Sequence, residues 1–323
     1  MLSRTADCLY WMGRYTERAE NTARMLDVTY QTSLLPQPKE LITERWKKII
    51  SDSHLESLFE KKYKSYNKSN ILKFMMFDET NPSSIVSCLT FARANARVIR
   101  GRITSEVWET QNSTWLGIIK FKPSQYANDP SSFLEWVKYR SHLFRGVTYG
   151  TMLADDSLHF MEIGANLERA DNTARILNLQ YHQIARISSK VKSLGLADNF
   201  NGDFFDFYHW VAILRSVSAF EIYRQIYSEQ ITPVKIIELL VFNAQLPRSL
   251  TSCLSNLIKL MSQMKNPKFK EIGHLIQKMQ LNLKTANHEE LPNQLEEFLK
   301  FFLEEVNNVA DEFSKGFLIP LNS

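Results

Sequence analysis

The sequence predicts an all-α fold, a multi-helix bundle of two related helical halves, each containing a long charged helix. Three observations carry that prediction. Gly and Pro number only 10 each in 323 residues, roughly 3% apiece against averages of about 7% and 5%. Many-stranded folds need those residues for turns and bulges; long helices do not. Apolar residues recur at spacings of three and four, and no convincing period-two series appears. Finally, one charged segment occurs twice, as ERAENTARML at 17–26 and ERADNTARIL at 168–177, an offset of 168 − 17 = 151. Eight of these ten positions are identical, and Glu20/Asp171 and Met25/Ile176 are conservative pairs. Gly13/Gly164 and Tyr30/Tyr181 match at the same offset. That period is far longer than the 20–50 residues of solenoid repeats. The chain therefore reads as one all-helical domain, internally duplicated as approximately 1–150 and 151–323.

The first helix is predicted from Ser3, read as its N-cap. Cys8, Met12, Tyr15, Ala19, Ala23, Leu26 and Tyr30 fall on one stripe, and the helix stops near Leu35, before Pro36 and Pro38. Further helices are expected over roughly 40–63, 83–100, 102–120, 131–151, 154–190, 204–228, 232–243, 247–264 and 288–314. Turn-forming residues mark breaks at 64–70, 80–84, 122–132 and 193–203.

Composition excludes several classes. A net charge of +4 is small for this length, which argues against a nucleic-acid partner. Cys8, Cys88 and Cys253 lie far apart with no C-x-x-C spacing, so neither a disulfide framework nor a zinc cluster is expected. Charges at Arg4, Asp7 and Arg14 interrupt any secretory apolar segment at the start of the sequence. The most apolar run, Ile236 to Pro247, contains Glu238 and is too short to span a bilayer. No membrane association and a cytoplasmic location are the expectations.

The duplicated helix carries the candidate site. On a helical wheel Glu17, Asn21 and Arg24 lie opposite the apolar stripe at i, i+4 and i+7, with Arg14 beside them and Arg18 on the flank. Glu168, Asn172 and Arg175 repeat the row, with Arg169 flanking and Ala165 in place of Arg14. The small pairs Ala19/Ala23 and Ala170/Ala174 allow close approach of another helix on the apolar side. Three readings of the charged face stand together: a solvated surface, a buried ion-pair network, and a cleft in which two rows recognise a ligand. Retention of identical polar residues in both copies disfavours the first. Removing one partner of a buried network would strand a charge at a cost of roughly 3–5 kcal/mol.

A second constellation is ARANARVIRGRI at 92–103, where Arg93, Arg97 and Arg100 share a face. Guanidinium groups suit a phosphate or peptide carboxylate. The competing reading pairs them with Glu17 and Glu168 or with Glu106 and Glu109. Neither GxxxxGK[ST] nor GxGxxG occurs, so no phosphate cradle and no cofactor are expected. The seven histidines form no close metal pair, no G-x-S-x-G elbow is present, and no metal is expected. Asp155-Asp156 is read first as a helix cap and second as a cation site, and Cys8 as core.

With ERAENTARML, ERADNTARIL and ARANARVIRGRI in view, the chain resembles the bacterial alpha-E proteins, all-helical domains named for their Glu-Arg motif. The likeness spans nearly the whole length and includes MLSRTADCLYWMGRYTERAE, ARANARVIRGRITSEVWE, LRSVSAFEIYRQIY and LPRSL. The family motif falls on Glu17-Arg18 and Glu168-Arg169. The resemblance implies neighbours: circularly permuted ATP-grasp enzymes and transglutaminase-like proteases. It thereby implies a role in forming or processing amide bonds, in a peptide-synthesis, tagging or modification pathway. The expectation is a non-catalytic partner that binds the ligase, its peptide substrate, or a carboxylate ligand. The alternative is an enzyme of the same pathway that uses Glu17 or Glu168 as a base in a polar cleft.

Overall fold

The computed structural model describes residues 2–35, 38–126, 129–193, 202–228, 231–286 and 291–318. The side chain of Tyr181 and most of the break expected at 193–203 lie outside the described residues. Among those residues there are helices and no strands, as the scarcity of turn formers predicts.

Among the described residues fourteen α-helices follow in order. They are α1 (Ser3–Ser33), α2 (Lys39–Asp52), α3 (Glu56–Glu60), α4 (Lys68–Met76), α5 (Ile85–Val98), α6 (Ser105–Ile118) and α7 (Ser131–Thr151). After these come α8 (Asp156–Ser193), α9 (Gly202–Ser216), α10 (Phe220–Tyr227), α11 (Pro233–Ile237), α12 (Leu250–Gln263), α13 (Pro267–Thr285) and α14 (Leu291–Phe317). A π-helical turn, Glu238–Phe242, extends α11.

Helix α1 begins at Ser3 with Leu2 in the cap position and no side-chain cap, so Ser3 is its first helical residue and not its cap. The Asp155 side chain instead caps α8, accepting from Ser157 N at 2.8 Å. Its neighbour Asp156 lies in the first turn, where a carboxylate suits the helix dipole. Two predicted helices are each split in two. The stretch 40–63 breaks at His54 and the stretch 204–228 at Ser218, both in the left-handed region at φ 54° and 56°. At the two joints Leu55 N donates to Ile50 O at 3.1 Å and Ala219 N to Leu214 O at 2.7 Å. Helices α4 and α13 lie outside the predicted ranges. Asn67 caps α4 and Asn266 caps α13, each accepting a backbone N–H, and Pro267 opens the first turn of α13.

These joints expose further matched features between the two halves. Trp46 of α2 and Trp210 of α9 are both buried, at an offset of 210 − 46 = 164. The segment PSSIVSCL at 82–89 matches PRSLTSCL at 247–254, an offset of 247 − 82 = 165. Ser84 caps α5 and Ser249 caps α12. Cys88 Sγ lies 3.7 Å from Pro82 O, and Cys253 Sγ 3.8 Å from Pro247 O.

Helices α1 and α8 pack on each other at the centre; α5 and α7 lie on α1, and α12 and α14 on α8. Two apolar clusters result. Leu9, Tyr10 and Met12 of α1 join the cluster built mainly by α8–α14. Ala19, Ala23 and Leu26 of the same helix join the cluster of α2–α7. The close approach of α1 and α8 occurs at glycine. A Cβ on Gly13 would stand 2.2 Å from Met161 O, and one on Gly164 would stand 2.3 Å from Tyr10 O. Tyr10 and Met161 are themselves 151 apart, so the crossing is reciprocal. Among the described residues no helix is long and apolar enough to cross a membrane.

Candidate functional site

The glycine crossing sets the register of the charged residues one turn further along. Because each helix meets the other at the equivalent position, Glu17 faces Arg169 and Glu168 faces Arg18. Arg169 donates to Glu17 through Nε at 3.2 Å and Nη2 at 2.8 Å. Arg18 donates to Glu168 through Nε at 2.6 Å and Nη2 at 2.9 Å. Both contacts are forked, the geometry in which guanidinium and carboxylate bind most strongly. The two residues of each Glu-Arg pair thus bond to the opposite helix, not to each other.

Each carboxylate takes additional arginines. Arg14 Nε donates to the Glu168 Oε2 atom at 2.8 Å while its Nη1 reaches the Tyr10 hydroxyl at 3.0 Å. Glu17 is met by Arg145 of α7 at 3.1 Å and by Arg248, just before α12, at 2.9 Å. Beside it Glu20 receives Arg24 at 2.8 Å, Arg145 at 2.6 Å and Arg248 at 2.7 Å. Arg248 also donates to Asn21 Oδ1 at 2.9 Å. In the other half Arg175 grips Asp171 with both Nε at 2.8 Å and Nη2 at 3.1 Å, and donates to Asp52 O at 3.3 Å.

This face is not solvated: Glu17 is 3% exposed, Glu20 0% and Glu168 6%. Burial opposes their ionisation, but the arginines outweigh it. Arg18 and Arg14 hold the Glu168 carboxyl down at about 2, and Arg169, Arg248 and Arg145 hold that of Glu17 well below the usual carboxylate range. Conversely, Glu168 keeps Arg18 and Glu17 keeps Arg169 firmly protonated against their burial. Cys88 and Cys253 lie beneath the two clusters, their thiols pushed up to about 12 and about 11 by burial despite Arg18 and Arg169 nearby.

The sequence-predicted residues are therefore brought together, with changes of partner. Arg18 and Arg169, expected on the flanks, make the central bonds. Asn21 and Arg24 belong to the cluster through Arg248 and Glu20. Asn172 lies beside the Glu168 cluster with its Nδ2 atom buried and unpartnered. Glu20, Asp171, Arg145, Arg248 and Tyr10 complete the network without having been singled out as site residues. Glu20 and Asp171 were visible in the repeat and Arg248 in the second match, whereas nothing local marks Arg145. The stripe at 92–103 is a different arrangement. Arg93 donates to Asn112 Oδ1 at 3.2 Å and lies 4.4 Å from the Trp115 ring centroid, and Arg100 lies 5.1 Å from that of Trp108. Arg97 is exposed. Indole faces, and not Glu17 or Glu168, receive Arg93 and Arg100.

The two clusters differ in access. A cavity of about 260 Å³ opens beside Glu168, bordered by Asp52, His54, Ser83, Asp171, Asn172 and Arg175. Among the described residues a smaller cavity, of about 40 Å³, lies beside Glu17, Arg145 and Arg169. Among the described residues no group of three His, Cys, Asp or Glu side chains is placed to hold a metal.

A search of the curated proteins and of the solved structures finds no match. One family profile matches residues 1–318: Alpha-E, described as a predicted alpha-helical domain with a conserved ER motif. The cross-braced pairs Glu17-Arg18 and Glu168-Arg169 are Glu-Arg dipeptides, and the chain belongs to the Alpha-E family.

Proposed function

We propose that this Alpha-E protein is a cytoplasmic, non-catalytic helical partner of a circularly permuted ATP-grasp amide ligase. It binds the enzyme, its peptide substrate or both during peptide synthesis, tagging or modification, and a transglutaminase-like protease is a further candidate partner. The ligase itself is suggested by the family resemblance. The observation that supports a non-catalytic role is the state of the two motif carboxylates. A general base works best with a pKa near the operating pH and an unoccupied lone pair aimed at substrate. Glu17 and Glu168 are buried, held far below that range and engaged by three and two arginines respectively. That state disfavours the alternative of an enzyme acting through either residue, and suits a rigid frame presenting a binding surface.

Co-expression with the ligase tests the reading. The two proteins are expected to co-purify, and ligase turnover on its peptide substrate is expected to depend on this chain. Full turnover in its absence, with no complex detectable by size-exclusion chromatography, removes the proposal.

A further inference from the structure

We propose that the cavity beside Glu168 is a binding site for a guanidinium group, the side chain of an arginine supplied by a ligand. In the other half the same place is filled from within the chain. There the Arg248 guanidinium sits on three acceptors of α1, bonded to Glu17 at 2.9 Å, Glu20 at 2.7 Å and Asn21 at 2.9 Å. The equivalents on α8 are Glu168, Asp171 and Asn172, each 151 residues on. The match of PSSIVSCL with PRSLTSCL pairs Arg248 with Ser83. Ser83, Glu168, Asp171 and Asn172 all border the 260 Å³ cavity. Serine replaces the arginine, and the space that an arginine side chain fills in one half stands open in the other.

Partner counting agrees. Of the three arginines on Glu17, Arg169 corresponds to Arg18 on Glu168 by the repeat. The Arg145 contact is taken over by Arg14, which meets Glu168 at 2.8 Å. The third, Arg248, has no counterpart at Ser83. Arg18 and Arg175 border the cavity and oppose a guest, but the filled half tolerates the same opposition: Arg169 and Arg24 act against Arg248, and Glu17 and Glu20 hold it there. The asparagines are disposed alike too, since Asn172 Nδ2 and Asn21 Nδ2 are both buried without a partner. His54, at the left-handed joint after α2, is exposed at the rim and leaves the cavity reachable from solvent. Forked N–H donors on a planar cation fit this acceptor set better than an ammonium.

The inference rests on the chain's own geometry and stands whether or not a ligase partner is found. Isothermal titration of the full chain with Nα-acetyl-arginine amide tests it, against the citrulline counterpart, which keeps the shape and loses the charge. One-to-one binding is expected, with the citrulline compound weaker by roughly tenfold or more. Free arginine and an arginine-containing tripeptide distinguish the source. If free arginine binds as tightly as the capped residue, the occupant is a small molecule; if the tripeptide binds tighter, it is a chain segment, and either supports the site. Ser83→Arg is expected to fill the cavity as Arg248 does, abolishing binding while the melting temperature holds or rises. No binding by any guanidino compound, equal binding of the citrulline compound, or undiminished binding to folded Ser83→Arg overturns the proposal.

Discussion

Gly13 of α1 and Met161 of α8 meet backbone to backbone, with room for a hydrogen but not for a methyl group: a Cβ on Gly13 would lie 2.2 Å from the Met161 carbonyl oxygen. Gly164 stands in the same relation to Tyr10. In an ordinary helix interior Gly→Ala stabilises by up to about 1 kcal/mol. Here Gly13→Ala and Gly164→Ala should destabilise, each by roughly 1–3 kcal/mol, because the helices must separate. Gly146→Ala, on α7 with nothing within 4 Å, is the contrasting control and should stabilise. Urea unfolding of the three variants distinguishes the outcomes by sign.

Removing either motif carboxylate strands buried guanidinium groups. Glu168→Gln leaves Arg14 and Arg18 uncompensated, and Glu17→Gln leaves Arg145, Arg169 and Arg248 with Glu20 alone between them. Losses of about 3–5 kcal/mol are expected, larger at Glu17. Thermal or urea denaturation checks both the size and the ranking.

Stability should also depend on acid. A glutamate in the unfolded chain titrates near about 4.3, whereas Glu168 in the folded protein is held at about 2. The folded state therefore binds fewer protons between these values, so its stabilisation is complete above the unfolded pKa and is lost as pH falls through the folded one. Melting temperature should decline as pH drops below about 4. In Glu168→Gln that decline should be shallower, since one of the responsible groups is gone.

Cys88 and Cys253 should be inert in the folded protein. Both are buried and their thiols are pushed up to about 12 and about 11, which leaves almost no thiolate at pH 8. Iodoacetamide should label neither until denaturant is added, a difference that mass spectrometry reads directly.

The central pair of helices was legible because it carries its charges in near-identical order twice, and Gly13 and Gly164 could be aligned from the same offset. What could not be read was the direction of those charges. The repeat disfavours a solvated polar side for α1 but leaves a buried network and a cleft both open; Glu17 and Glu20 are buried, and they are tolerated there because arginines from α7, α8 and the start of α12 converge on them. Tertiary placement decides that, and no local pattern announces Arg145. The second match, PSSIVSCL with PRSLTSCL, was present in the letters. Its offset of 165 differs from the 151 of the motif helices, so a single-register comparison passes over it. Helix α4 was hidden for another reason: Asn67, read as part of a break, is the residue that starts it.

The reciprocal bonding of Glu17 to Arg169 and Glu168 to Arg18 has a consequence for self-sufficiency. A half-length chain ending after Thr151 would bury a carboxylate whose forked guanidinium partner it does not possess, and the remaining half would face the mirror problem. Each would find what it lacks on a second copy of itself, across a two-fold axis through the glycine crossing. The tether between α7 and α8 thus joins two surfaces already made to recognise one another.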